Sequence, residues 1–153
     1  MEDRKAIKVI CLVLLGLVAA FLLFWAFAWS TFEVGGVGRY SIFFRLGAPE
    51  HLRAVELVGE CRSPQYSWKG RDGEGVPFSF VIYGSSAPVA DLFGYYGARF
   101  KKQSCIHEIT PQVLGGEQML DMKCSNEDFR NVQVSVENKG VCKEVRVGFV
   151  DEE

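Results

Sequence analysis

Two histidines, His51 and His107, are all that the 153-residue chain contains. A Ser-His or Cys-His nucleophile therefore has few candidates for its base. No C-x-x-C or H-x-x-x-H pair occurs, so the usual ligand spacings of a zinc site are missing, as are the redox and haem-attachment motifs. Cys105-x-His107-Glu108 comes nearest, but on a strand Cys105 and His107 share a face while Glu108 points away. No phosphate loop or dinucleotide fingerprint is present, because Gly35-Gly36-Val37-Gly38 has no helical pattern behind it. Asp72 and Glu74, in a Gly-rich stretch at 70–75, lack the spacing of a calcium loop. The net charge is −2 with acids and bases mixed along the chain, so no concentrated basic face exists for nucleic acid. No metal and no cofactor is expected. An enzyme is not expected either, with thiol chemistry the one version left open.

Charge is absent altogether from residues 9–29, VICLVLLGLVAAFLLFWAFAW. As a helix rising ~1.5 Å per residue this stretch spans about 31 Å, the thickness of a bilayer's hydrocarbon core. A helix satisfies its own backbone hydrogen bonds, which lipid cannot do for it. Arg4, Lys5 and Lys8 crowd the N-terminal flank, whereas the first base on the other side is Arg39. That asymmetry places the N-terminus in the cytoplasm, and Trp25, Phe27, Trp29 and Phe32 then form an aromatic belt at the outer interface. Ala26-Phe27-Ala28 has the A-x-A form of a signal-peptidase site, but the apolar stretch exceeds the ~7–15 residues of a cleaved signal core. An uncleaved anchor is therefore expected. Gly16-x-x-x-Ala20 sets two small residues on one face of this helix, a spacing that lets another membrane helix approach closely. The expected organisation is a cytoplasmic tail at 1–8, a transmembrane helix at 9–29, a membrane-proximal connecting segment at 30–50 and an extracytoplasmic domain at 51–153.

In the connecting segment, Gly35, Gly36 and Gly38 break any helix and read as a flexible exit from the bilayer. The run from Tyr40 to Leu46 is unusually apolar for a linker. Ile42, Phe43 and Phe44 are candidate contacts to a partner or to lipid headgroups; the plainer reading is an edge strand or loop covering the domain core.

Beyond residue 50 the pattern is that of a small α+β domain, an antiparallel sheet with one helix packed on one face. Residues 53–60 alternate weakly, as a strand does. Residues 65–69 and 76–83 flank the Gly-rich stretch as a hairpin, with Phe78, Phe80 and Ile82 sharing one face. Ser86 reads as an N-cap and Pro88 as a first-turn residue of a helix. Its apolar stripe is Val89, Leu92, Phe93, Tyr96 and Phe100. Short alternating segments follow at 105–110, 119–124, 131–137 and 141–150. Val132, Val134 and Val136 form one strand face and Val141, Val145, Val147 and Phe149 another, which puts Val136 opposite Val141 across an Asn138-Lys139 turn. Lys143 intrudes on that face.

Of five cysteines, Cys11 lies in the apolar helix and Cys61, Cys105, Cys124 and Cys142 lie in the domain. An even number on an oxidising side implies two disulfides. A hairpin of 105–110 with 119–124 sets Cys105 opposite Cys124, His107 opposite Met122 and Ile109 opposite Leu120, leaving Cys61 for Cys142. Among three asparagines there is no N-x-S/T, which favours the periplasm over a lumen or the cell exterior. The function expected is a membrane-anchored, non-catalytic accessory or assembly subunit, with integral membrane subunits and the lipid bilayer as partners. The alternative is a stand-alone ligand-binding or sensing domain with a pocket near Tyr66, Trp68 and Tyr95.

Overall fold

The computed structural model describes residues 2–70, 75–107, 112–114 and 116–150. It divides into two compact units, Met1–Phe32 and Glu33–Glu153. The first is a single helix, α1 (Glu2–Phe32). Its apolar window Ile10–Trp29 has a mean hydropathy of 2.8, and none of that window is buried inside the protein.

The second unit is mixed α+β. Its elements run β1 (Glu33–Val37), α2 (Ile42–Gly47), α3 (Glu50–Arg53), β2 (Glu60–Lys69), β3 (Phe78–Ser85), α4 (Val89–Lys101), β4 (Cys105–His107), β5 (Gln112–Leu114), β6 (Glu117–Cys124), β7 (Asn131–Glu137) and β8 (Lys143–Val150). The strands form one sheet in the order β1-β2-β3-β8-β7-β6-β4, with β5 also on β6, and every pairing is antiparallel.

Register aligns the apolar residues into rows across the strands. Tyr66, Val81, Val147, Val134 and Leu120 form one row. Val34, Trp68, Ser79, Phe149, Val132 and Met122 form the next. All of these side chains are buried, and all but the polar Ser79 belong to one hydrophobic core. Since a strand alternates its faces with period two, a one-residue slip anywhere would turn a whole row to solvent. Fully burying each Val, Leu or Phe contributes ~1.5–3 kcal/mol, which holds the register.

The sheet face is covered by more than the one helix expected. In α4, Leu92, Tyr96 and Phe100 are buried, with Val89 and Phe93 partly so. But α2 adds Phe44 and α3 adds Leu52, which is fully buried. The helix α4 also starts later than expected, with Pro88 at the N-cap. The Ser86 hydroxyl instead donates to the Gly59 carbonyl, 3.1 Å away.

Several local expectations are corrected. Residues 33–50 are not a connecting segment, since the second compact unit begins at Glu33. The glycines at 35 and 36 lie within β1, which pairs with β2 through a register shift between Val34 and Val37. Gly36 supplies the positive φ of 66° that a bulge of this kind uses, and its N–H donates to Ser67 Oγ. Of residues 53–60, only Glu60 is in a strand, as the first residue of β2. Pro49 opens the turn of α3, and the backbone carbonyls of Glu56 and Val58 accept hydrogen bonds from Tyr96 and Ser85 rather than from a neighbouring strand. Phe78, Phe80 and Ile82 do share a face, but it is the outer one; Ser79, Val81 and Tyr83 point into the core. Val141 is 90% exposed, and Val136 pairs with Val145 instead. The connection from β7 to β8 is longer than a two-residue turn because Cys142 is drawn to Cys61. Lys143, two residues before Val145, still falls on the inner-face register, but it stands at the first position of β8 and is only half-buried there. Most of the 70–75 turn, together with Glu108, Ile109 and Thr110, lies outside the described residues.

One disulfide joins the cysteines that the hairpin register pairs, and the other joins the two that remain. Cys105 lies directly opposite Cys124 in the β4–β6 ladder and bonds to it, with His107 opposite Met122. Cys61 bonds to Cys142 across 81 residues of sequence. Loop-closure entropy assigns about 3 kcal/mol to the shorter bridge and about 4.5 kcal/mol to the longer. The longer one passes over the middle strand of three, since Gly84 in β3 pairs with Arg62 in β2 and with Glu144 in β8. A Cβ on Gly84 would overlap Cys142 Sγ and come 2.6 Å from Arg62 Cβ. Gly84→Ala is therefore expected to destabilise the domain by about 1–3 kcal/mol, the usual range for overpacking. Gly94→Ala, on α4 with open space around the new methyl, should instead be neutral or stabilising by up to about 1 kcal/mol. Melting of the two variants in detergent beside the parent checks both signs.

Candidate functional site

The three aromatic residues expected to form a pocket do not come together. Tyr66 and Trp68 are neighbours on the inner face of β2 and belong to the core, at 2% and 4% exposure. The Tyr66 ring lies 4.1 Å from that of Phe44. Tyr66 also borders a shallow cleft of about 400 Å³ shared with Arg39, Arg53, Glu56 and Glu60. Arg39 pairs with Glu60 at 3.3 Å, and a hydrogen bond with Tyr66 is the main cause that holds its guanidinium above the ordinary arginine value. Tyr95 faces a separate cleft, of about 390 Å³, beside Ala98, Arg99 and Lys102. Both clefts are open, and each mixes polar with apolar walls.

The densest polar cluster joins α4 to the loop before β2. The phenols of Tyr83 and Tyr96 lie 2.7 Å apart, and Tyr96 donates to the Glu56 carbonyl at 2.9 Å. Tyr83 is thus the donor to Tyr96, whose own proton is committed. Tyr95 donates to a Glu56 carboxylate oxygen at 2.5 Å, and Arg99 approaches that same oxygen at 3.8 Å. Burial is the first cause that pushes Tyr83 and Tyr96 above the ordinary phenol value, and in Tyr96 the neighbouring Tyr83 adds to it. A phenol whose pKa lies this high holds its proton. The cluster ties helix to loop; it does not supply a base.

A second contact has the spacing of a nucleophile and its base. His51 on α3 places Nε2 2.8 Å from Ser79 Oγ. Ser79 is 3% exposed and belongs to the inner row between Trp68 and Phe149. The His51 ring packs 4.8 Å from Phe149 and 5.5 Å from Phe129. Beside it is a cavity of about 20 Å³, room for a water and far below the several hundred Å³ of an organic ligand's pocket. Ser79 is the small member of its row, and its size admits the imidazole. The pair pins α3 to the sheet.

The remaining candidates sort by where the fold puts them. Cys61, Cys105, Cys124 and Cys142 are all in disulfides, and Cys11 is the free thiol, exposed on α1. Cys105 is thereby removed from any metal site with His107. Among the described residues, no group of three His, Cys, Asp or Glu side chains could hold a metal ion. The imidazole of His107 lies against Gly97, where an added Cβ would come 3.3 Å from Nε2 and crowd the ring. Gly16 and Ala20 are exposed on α1, and a Cβ at Gly16 would meet nothing within 4 Å. Ile42, Phe43 and Phe44 separate: Phe44 is core, Phe43 is half-buried and Ile42 is 61% exposed. Phe44 is thus a fold residue and not a contact residue.

Comparison of the chain with protein families, curated proteins and solved structures gives no match. The site residues therefore rest on the geometry above. The sequence offers His51 as a candidate base but does not mark Ser79 as its partner, and it does not mark Glu56 at all, because the paired residues are 28 to 40 positions apart in the chain. No local pattern marks such pairs.

The raised phenols carry a pH dependence. As pH rises, the unfolded chain loses its tyrosine protons first, near the ordinary value of about 10. Stability is thus complete below about pH 10 and falls as the pH climbs from there toward the folded-state values. Tyr96→Phe is expected to cost about 1–3 kcal/mol at neutral pH by taking a hydrogen bond from the buried Tyr83 phenol and another from the Glu56 carbonyl. It should also shrink the alkaline loss of the parent. Melts at about pH 8 and about pH 11 test both effects; an alkaline loss unchanged in the variant would contradict the assignment.

Proposed function

We propose that the chain is a membrane-anchored, non-catalytic accessory or assembly subunit of a larger membrane complex. In this reading, residues 9–29 cross the bilayer with the N-terminus in the cytoplasm. The disulfide-bonded domain stands on the extracytoplasmic side, in the periplasm. The observation that carries the proposal is the contrast between the two units. A 20-residue apolar window, Ile10–Trp29, contributes nothing to a protein core, while a separate domain closes its own core and adds two disulfides. An apolar helix exposed on every side needs lipid or other helices around it. Disulfides persist in oxidising compartments, which agrees with the outward side.

The domain's surface fits a contact role better than a reaction. The two open clefts beside Tyr66 and Tyr95 do not converge on an activated nucleophile, and the Ser79 hydroxyl that meets His51 is buried in the core row. Apolar surface remains where a partner can reach it: Phe78 and Val150 are exposed on the outer face of the sheet and pair across β3 and β8. Phe80, beside them, packs under the Arg146 guanidinium at 5.3 Å. The stand-alone sensing domain is the weaker reading, because Tyr66, Trp68 and Tyr95 form no common pocket.

Purification from the native membrane in mild detergent, with identification of whatever accompanies the protein, tests this role. Stoichiometric co-purification with other integral membrane proteins is the expected result. A lone monomer or homodimer under the gentlest extraction would contradict it.

A further inference from the structure

The helix α2 turns one side into the domain and another away from it. Phe44 is 8% exposed, whereas Ile42 and Leu46, one turn apart, are 61% and 66% exposed. Tyr40, just before the N-cap Ser41, is 85% exposed. Arg45 is exposed beside Leu46 and makes no ion pair among the described residues. Single exposed apolar residues are ordinary on protein surfaces. Three within seven positions, with an amphipathic tyrosine and a free arginine among them, have the make-up of a segment lying in a membrane interface. Aliphatic side chains suit the acyl boundary, tyrosine the headgroup level, and arginine reaches outward to phosphate.

We infer that Tyr40, Ile42 and Leu46 seat the domain on the lipid surface, with Arg45 meeting lipid phosphates. This rests on the reading of residues 9–29 as a membrane span. Chain continuity argues for lipid as the occupant. Phe32, the last residue of α1, is followed at once by β1, with no linker between them. Tyr40 lies only eight positions after Phe32, and a fully extended chain spans at most about 3.3–3.6 Å per residue. Tyr40 thus stays within about 28 Å of the helix end, and with residues 9–29 in the bilayer the lipid surface lies within that reach. The fold also accounts for α2 itself. Ser41 caps it by accepting from the Phe43 N–H, and Phe44 anchors it to Tyr66, so the outward side is held by structure and does not need to be buried in order to form.

The test uses the full chain with Cys11→Ser and Leu46→Cys, spin-labelled at position 46 with both disulfides intact, in phosphatidylcholine–phosphatidylglycerol vesicles. Collision with oxygen, which concentrates in lipid, is compared with collision with a water-soluble nickel chelate. The comparator is the same protein labelled at Ala98→Cys, exposed on α4. At position 46 oxygen should collide more often than nickel, at 98 the order should reverse, and adding Ile42→Glu should make 46 resemble 98. Extraction with alkaline carbonate is read in parallel. A water-like label at 46 in protein that resists carbonate would overturn the lipid seat and leave the anchor standing. Release by carbonate would overturn both. Spin–spin broadening at 46 would mean that a second copy covers the face, and would also overturn the seat.

Discussion

One face of a single antiparallel sheet must be kept from water, and most of the domain follows from that requirement. The rows running from β1 to β6 put tyrosine, tryptophan, valine, leucine and phenylalanine side by side on that face. A sheet of this width is not covered by one short helix, and α4 is joined by α2, α3 and the loop leading into β2. α4, α3 and the loop are fastened by polar contacts as well as by packing, and α2 by the packing of Phe44 on Tyr66. Tyr96 holds the Glu56 carbonyl, His51 holds Ser79, and Ser85 holds the Val58 carbonyl. These contacts satisfy polar groups that the covering layer would otherwise strand, where each would cost about 1–3 kcal/mol.

How much of this was legible in the sequence depends on the range over which each feature is decided. The valines of β7 and β8 announce themselves because period-two alternation is local. The stripe of α4 does so because 3.6-residue periodicity is local too. The Cys105–Cys124 register follows from alternation on two neighbouring strands. What was misread is decided at a distance. β1 carries two glycines and has poor strand propensity, yet it forms because β2 presents an open edge and Gly36 absorbs the mismatch. Residues 53–60 alternate like a strand, yet their carbonyls are claimed by Tyr96 and Ser85. Val141 fits the apolar pattern of β8 but is pulled off the strand by the disulfide at Cys142.

The same division runs through the candidate site residues. The Cys105–Cys124 pair could be read from register, with Cys61–Cys142 following as the pair left over. The pocket could not, because aromatic residues serve cores and pockets alike, and Tyr66 and Trp68 went to the core. Phe44 and Ile42 differ by two positions and by opposite fates, which no composition argument separates in a helix of six residues. In the proposed reading, the domain is a compact, covalently braced body delivered to the membrane surface by α1, and its work is contact with neighbours.

Everything in that reading depends on which side of the membrane the domain occupies. The most direct measurement labels a single cysteine at Ala98→Cys, in a Cys11→Ser chain, with a maleimide that cannot cross membranes. The label is added to sealed native vesicles of known orientation. The account predicts reaction only from the extracytoplasmic side. Reaction only from the cytoplasmic side would place the domain in a reducing compartment and contradict the account at its base.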